Sequence, residues 1–337
     1  MSTRRARTAT NAERRAAPRK AQRATKGFAG WPWLAAGGVA FLAVAIVVGI
    51  RLASPGDGSE PGEPTSNAAS GSGAGGELSQ IKTNDFHSMA VSPADADVIL
   101  YGHHGGVLRS TDGGRTWLTT TLTAEADDAM GMGISGAAPN VVYAAGHDTF
   151  FKSTDGGQKW ESLNPDLPGR DIHGLAVAPD REGRLYANVV RYGFFRSDDG
   201  GETWTKANSG SFPGDVIQVS ASADGVVYVA SVQVGVLRSN DAGATFKGTG
   251  QLSGGVLTVA ASATDLNIVY AGTESGLFAS TDGGKTWQPR TVPGGGQVLV
   301  AAVNPADSLN VTLVAVQDDG AGHVFRSRDG GATWGAG

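Results

Sequence analysis

A phrase of eight residues recurs six times along this 337-residue chain. Ser110–Trp117 reads Ser-Thr-Asp-Gly-Gly-Arg-Thr-Trp, and versions of it return at Ser153–Trp160, Ser197–Trp204, Ser239–Phe246, Ser280–Trp287 and Ser327–Trp334. Successive serines lie 43, 44, 42, 41 and 47 residues apart. A period in that range marks one supersecondary unit repeated in space, with each unit burying its apolar surface against its neighbours. Within the phrase, the aspartates Asp112, Asp155, Asp199, Asp241, Asp282 and Asp329 can accept backbone N–H groups of a turn, and the serine hydroxyls can do the same. The following glycines supply the positive φ of a tight connection between two strands. The fourth copy keeps both roles with Phe246 for the tryptophan and Ala242 for the first glycine.

The third unit shows the spacing of the strands most clearly. Residues 172–178 and 184–190 are short apolar runs, 193–196 is a third, the Asp-Gly-Gly turn follows, and 203–206 begins a fourth. First strands such as Leu175-Ala-Val-Ala178 are small and apolar on both faces, as strands near a crowded centre must be. Radial repetition of four-stranded antiparallel sheets is the β-propeller, so the expected fold is an all-β, six-bladed propeller. The sixth unit ends at Trp334 with no run left for an outer strand, while residues 77–83 precede the first blade without a partner. They are expected to complete the last blade and close the ring.

The segments outside the repeats set the topology. Residues 1–30 form a basic tail, and 31–50 are twenty residues without a charge, enough for one transmembrane helix flanked by Trp31 and Trp33. Residues 51–76, rich in Gly, Ser and Pro, read as a flexible linker to the propeller at 77–337. The positive-inside rule places the tail in the cytoplasm and the propeller outside it, as a monomeric ectodomain anchored in the cell membrane. A cleaved signal peptide is the competing reading, although the apolar run exceeds a typical h-region. Net charge is −5, yet residues 1–51 hold ten Lys/Arg and one acid, leaving 17 basic and 31 acidic residues in the remainder. So acidic a body argues against nucleic acid as a partner. With no cysteine, disulfides and thiolate chemistry are excluded.

The phrase resembles the Asp-box, or bacterial neuraminidase repeat, and the resemblance spans about residues 85–334 through its six copies. Families built on this repeat include exo-α-sialidases, xyloglucanase-type glycosidases, the photosystem II assembly and stability factor, and sortilin-type receptors. Segments such as Asp171-Ile-His-Gly-Leu-Ala-Val177 and Tyr101-Gly-His-His-Gly-Gly106 resemble exported sialidase-like and glycosyl hydrolase-like proteins. The resemblance implies that the boxes are structural and lie away from any active site. A sialidase would further carry an arginine triad, a Tyr–Glu pair, an acid/base Asp and an Arg-Ile-Pro segment, and no Arg-Ile-Pro occurs here. Arg109, Arg196, Arg238 and Arg326 share one repeat position and read as blade residues, leaving Arg170, Arg191 and Tyr192 as ligand-binding candidates. Exo-α-sialidase activity is therefore disfavoured, and whether the chain is an enzyme stays open.

Any other glycosidase needs two carboxylates at a suitable separation. Acids on the face opposite the boxes include Glu125, Asp127, Asp148, Asp215, Glu274, Asp318 and Asp319, most of them ordinary loop acids of an acidic protein. The best pair is Asp128 and Asp171, each two residues before an equivalent point on a first strand.

All six histidines map to that same face. His87 and His173 open first strands, with Met130 at the equivalent position between them, while His103, His104, His147 and His323 fall between second and third strands. Imidazoles suit Cu, Zn, Fe and Ni, and a thioether selects for copper, so His87, Met130, His173, His103, His104 and His147 are the expected ligands of copper or another transition metal. Alternatives are that the histidines cap loop carbonyls, or that one serves as a general base. The expected function is a ligand-binding or assembly module whose partner is a glycan or an exported protein, with glycoside hydrolysis as the rival.

Overall fold

The computed structural model of the chain describes residues 76–83, 85–124 and 127–335. The basic tail, the apolar span 31–50 and the linker up to residue 75 lie outside them, as does Glu125. Among the described residues no helix is long and apolar enough to cross a membrane.

Six four-stranded antiparallel sheets make up the described residues. Five are built from four consecutive strands. The first comprises Ser88–Val91, Ile99–His103, Gly106–Ser110 and Leu118–Thr119, from inside outward, and the third Ile172–Val177, Leu185–Val189, Gly193–Ser197 and Thr205–Lys206. The sixth takes three strands from the C-terminal end, Gln297–Asn304, Asp307–Val316 and Gly322–Ser327, and its fourth from Glu77–Ile81. That last pairing sets Gln80 opposite His323 and Ile81 opposite Gly322. The same short strand also reaches the first blade. Leu78 and Ile81 are buried in one core with Met89, Tyr101 and Trp117, and the Ser79 hydroxyl donates to Gly114 O at 2.5 Å while accepting Trp117 Nε1–H at 3.1 Å. One segment thus joins the two ends of the ring.

The core runs between blades, as the small apolar inner strands require. Tyr143 and Phe150 of blade 2 pack with Ile172, Leu175, Leu185 and Trp204 of blade 3, for example. Glycine allows the closest approach of inner strands: a Cβ on Gly131 would stand 2.2 Å from Leu175 N, and one on Gly133 2.8 Å from Val177 N.

The six boxes share one hydrogen-bond scheme. Each serine hydroxyl donates to the aspartate two residues on at 2.7–2.9 Å and accepts the N–H groups of that aspartate and of the second glycine position. In blade 5, Asp282 Oδ1 also accepts Thr286 N–H at 2.9 Å and Asp282 Oδ2 its hydroxyl at 2.6 Å. The side chains, not a ladder, hold this connection, which is why it is longer than a tight hairpin and why the outer strands shrink to two residues in blades 1–4. Ala242 adopts the glycine conformation of its siblings, φ +55°. The periodic arginines staple neighbours: Arg109 Nε–H donates to Gly156 O at 3.0 Å, and Arg326, buried against Asn310, reaches Asp97 at 2.6 Å across the seam.

The box carboxylates carry a pH prediction. Hydrogen bonds from the threonine hydroxyl and N–H hold Asp199, Asp282 and Asp329 down at about 2. A depressed carboxyl contributes stability that is present above the usual range near 4 and lost as pH falls through the folded value. The melting temperature of the full chain should therefore drop between about pH 4 and pH 2, and less steeply in the triple Asp→Asn variant at 199, 282 and 329. Parallel profiles would refute this.

Candidate functional site

The connections leading into the first strands and those between second and third strands form the face opposite the boxes. At blades 1 to 3 they bring four histidines and three aspartates into one strip. Asp85, Asp128 and Asp171 hold the same position in successive blades, two residues before His87, Met130 and His173, and the strand registers confirm that equivalence. His104 and His147 follow the second strands of blades 1 and 2. Isolated bridges join His104 to Asp128 and His147 to Asp171, so each aspartate links its own blade to the one before.

Ring contacts run the length of the strip. His87 and His104 lie 4.3 Å apart by centroid, His104 and His147 stack at 5.5 Å, and His147 and His173 meet edge-on at 5.0 Å. The closest nitrogens are His87 Nε2 and His104 Nδ1 at 3.1 Å, and His147 Nε2 and His173 Nε2 also at 3.1 Å. Asp85 accepts the His104 N–H at 2.9 Å and binds its Nδ1. In the next blade Asp128 Oδ2 accepts the His147 N–H at 2.8 Å and lies 2.7 Å from His147 Nδ1, which fixes that nitrogen as the donor and leaves the lone pair on Nε2.

Buried and open side chains alternate along the strip. Burial first, and then the neighbouring rings of His104, His147 and His173, push His87 down to about 3, so its imidazole is neutral at physiological pH. Its backbone carbonyl accepts Gln218 Nε2–H at 3.2 Å from blade 4, across the central axis. Asp128 is buried, and its Oδ1 has no hydrogen-bond partner. His104, His147 and Asp171 are the strip's open members, with side chains 46%, 47% and 39% exposed. The neighbouring His173 ring holds Asp171 below the usual carboxylate range, against the effect of burial.

The other histidines do not join. His103 is turned into the blade, stacked on Tyr101 at 6.0 Å with Nδ1 2.5 Å from His104 O. His323 sits in blade 6 between Asp319 at 3.0 Å and Glu77 at 3.2 Å. Met130 stands in register with the histidines, and no described hydrogen bond or ring contact involves it. Arg191, at φ +70°, is close enough to Asp171 to help lower its carboxyl, whereas Arg170 binds Asn164 and Tyr192 is exposed beside Gly169. Asp85 is the residue that sequence reasoning passed over. Its signal was there, as Asp-x-His recurs at 85–87 and 171–173 with Asp-x-Met at 128–130.

Six radial sheets and six serine–aspartate boxes make the described residues a β-propeller with Asp-box repeats. A family model described as photosynthesis system II assembly factor YCF48 matches residues 79–237, and the BNR/Asp-box repeat matches 278–289. None of the curated proteins compared with the chain matches it. Among solved structures, the GH74 xyloglucanase from Xanthomonas campestris is 20% identical, with a TM-score of 0.54 over 81% of this chain and 46% of its own. YCF48 from Cyanidioschyzon merolae is 18% identical, with a TM-score of 0.51 over 74% of this chain and 84% of its own. A structure of YCF48 bound to D1 peptide gives 18% and 0.50, over 74% and 81%. The chain spans about half the length of the xyloglucanase. These likenesses establish the fold.

Proposed function

We propose that the protein is a binding or assembly module whose ligand face is the histidine–aspartate strip of blades 1 to 3. In this reading residues 31–50 anchor it in the cell membrane and the propeller lies outside the cytoplasm, where an exported polypeptide is the partner the strip receives. One observation carries the reading: seven imidazole and carboxylate side chains from three blades converge on the face that the boxes leave free. A YCF48 propeller holds a peptide, which supports a polypeptide as the class of ligand.

The rival, glycoside hydrolysis, needs two carboxylates flanking a cleft wide enough for a sugar. Asp128 is buried with Oδ2 committed to His147, and Asp171 lies against His173. Neither is placed as a free acid over open space. The full-length protein should release no reducing sugar above blank from a panel of glycans that includes xyloglucan. Release that vanishes in both Asp128→Asn and Asp171→Asn would overturn the binding reading in favour of hydrolysis.

A further inference from the structure

We propose that the junction of blades 2 and 3 is a mononuclear site for a divalent transition-metal ion, with His147 Nε2, His173 Nε2 and Asp171 Oδ1 as its ligands. The proposal rests on the strip being the ligand face and says what that face holds first.

Three clusters of the strip could be considered: Asp85, His87 and His104; His104, Asp128 and His147; and His147, Asp171 and His173. In the first, the nitrogen that His104 turns toward His87 is Nδ1, already bound to Asp85. In the second, His147 Nδ1 is taken by Asp128 Oδ2, and the remaining pair, His104 Nε2 and Asp128 Oδ1, stand 3.8 Å apart. Only in the third do two Nε2 atoms meet a carboxylate oxygen with no other commitment.

The spacing there is that of ligands around one ion. His147 Nε2 to His173 Nε2 is 3.1 Å, His173 Nε2 to Asp171 Oδ1 is 3.0 Å and His147 Nε2 to Asp171 Oδ1 is 3.7 Å. Donors about 2.0–2.2 Å from a tetrahedral centre lie about 3.3–3.6 Å from one another, so small rotations of three side chains complete the set. Asp171 Oδ1 is sealed from solvent, and the imidazole nitrogens of His173 and His147 are the groups it faces.

Comparison with its siblings shows which imidazoles each aspartate meets. At the equivalent position, Asp85, Asp128 and Asp215 each accept the N–H of the turn after the second strand, from His104, His147 and Gln233. In blades 3 and 4 the N–H directly after the second strand, of Val190 and Val232, donates to the backbone carbonyl of Asp171 and Asp215, and in blade 3 Asp171 Oδ1 lies 3.0 Å from His173 Nε2. Behind His147, Asp128 holds Nδ1–H, the carboxylate–histidine arrangement that orients a metal-binding ring and raises its basicity. Two imidazoles and one carboxylate suit Zn²⁺, Cu²⁺, Ni²⁺ or Fe²⁺, and the exposed rims of His147 and Asp171 leave a coordination position for water or for a donor atom of the partner.

Zn²⁺ titrated calorimetrically into chelator-treated full-length protein should bind at one site. Asp171→Asn and His173→Gln should each weaken it at least tenfold, Asp128→Asn about 10–100-fold through the orientation of His147, and His323→Ala not at all. A Co²⁺ spectrum on the unaltered protein gives a second readout that needs no variant, with a tetrahedral-type visible band expected. Absence of Zn²⁺ binding by the unaltered protein, or binding indifferent to both Asp171→Asn and His173→Gln, would overturn the site. Either result leaves the glycan test, and with it the binding reading, standing.

Discussion

Ile81→Asp should open the ring. Ile81 is 2% exposed and lies in the core that the strand Glu77–Ile81 shares with blade 1, while its backbone pairs with Gly322 of blade 6. Truncating a buried isoleucine to alanine costs about 2–5 kcal/mol, and placing a carboxylate with no partner there adds to that. The expected loss is about 4 kcal/mol or more in urea unfolding, a large share of the stability of a domain. Its pattern should be local at first. The edge of Gly322–Ser327 loses its partner, so proteolysis and amide exchange should rise in blade 6 before the other blades. Lys82→Asp, one residue on and exposed, should stay within about 0.5 kcal/mol of the parent. Equal effects of the two changes would show that the strand is dispensable for closure.

Gly131→Val should damage both stability and the site. A Cβ at this position would meet Leu175 N at 2.2 Å, Gly174 C at 2.8 Å and Leu175 Cβ at 2.9 Å, and two of those atoms are backbone in the innermost strand of the next blade. Relief requires the inner strands of blades 2 and 3 to separate, at a cost of about 3 kcal/mol. Gly131 pairs with Ala145, two residues before His147, and Gly174 follows His173 directly, so the same separation pulls the two imidazoles apart. Zn²⁺ affinity should therefore fall even at temperatures where the variant is fully folded. Gly248→Ala, where an added Cβ meets nothing within 4 Å, is the control and should change neither quantity. Unaltered melting and affinity in Gly131→Val would show that the blades are not held at this distance by the missing side chain.

Much of the candidate site was legible because propeller topology converts sequence position into location. Once the boxes fix the third-to-fourth connections to one face, any residue before a first strand or after a second strand belongs to the other. That reasoning finds His87, His104, His147, His173, Asp128 and Asp171. It does not separate His103 from His104, although side chains alternate along a strand and only one of two adjacent residues can turn to the strip. Nor does it remove His323, which shares the face but sits in blade 6 against Asp319 and Glu77. The period of the sequence gives the face and leaves open which blades a residue can reach across.

The sequence by itself determined the repeat, the number of blades and the role of the boxes, since each rests on local turn chemistry repeated at a fixed spacing. What only the tertiary structure decided is which of four equivalent aspartates meets the Nε2 atoms of two imidazoles. Asp85, Asp128, Asp171 and Asp215 recur at one position in the repeat, and the carboxylates of Asp85, Asp128 and Asp215 accept a turn N–H. Asp171 Oδ1 faces the Nε2 atoms of two histidines, His173 of its own blade and His147 of the blade before it. That difference depends on how close blades 2 and 3 stand, a distance set by Gly131 against the backbone of Leu175, residues 44 positions apart in the chain.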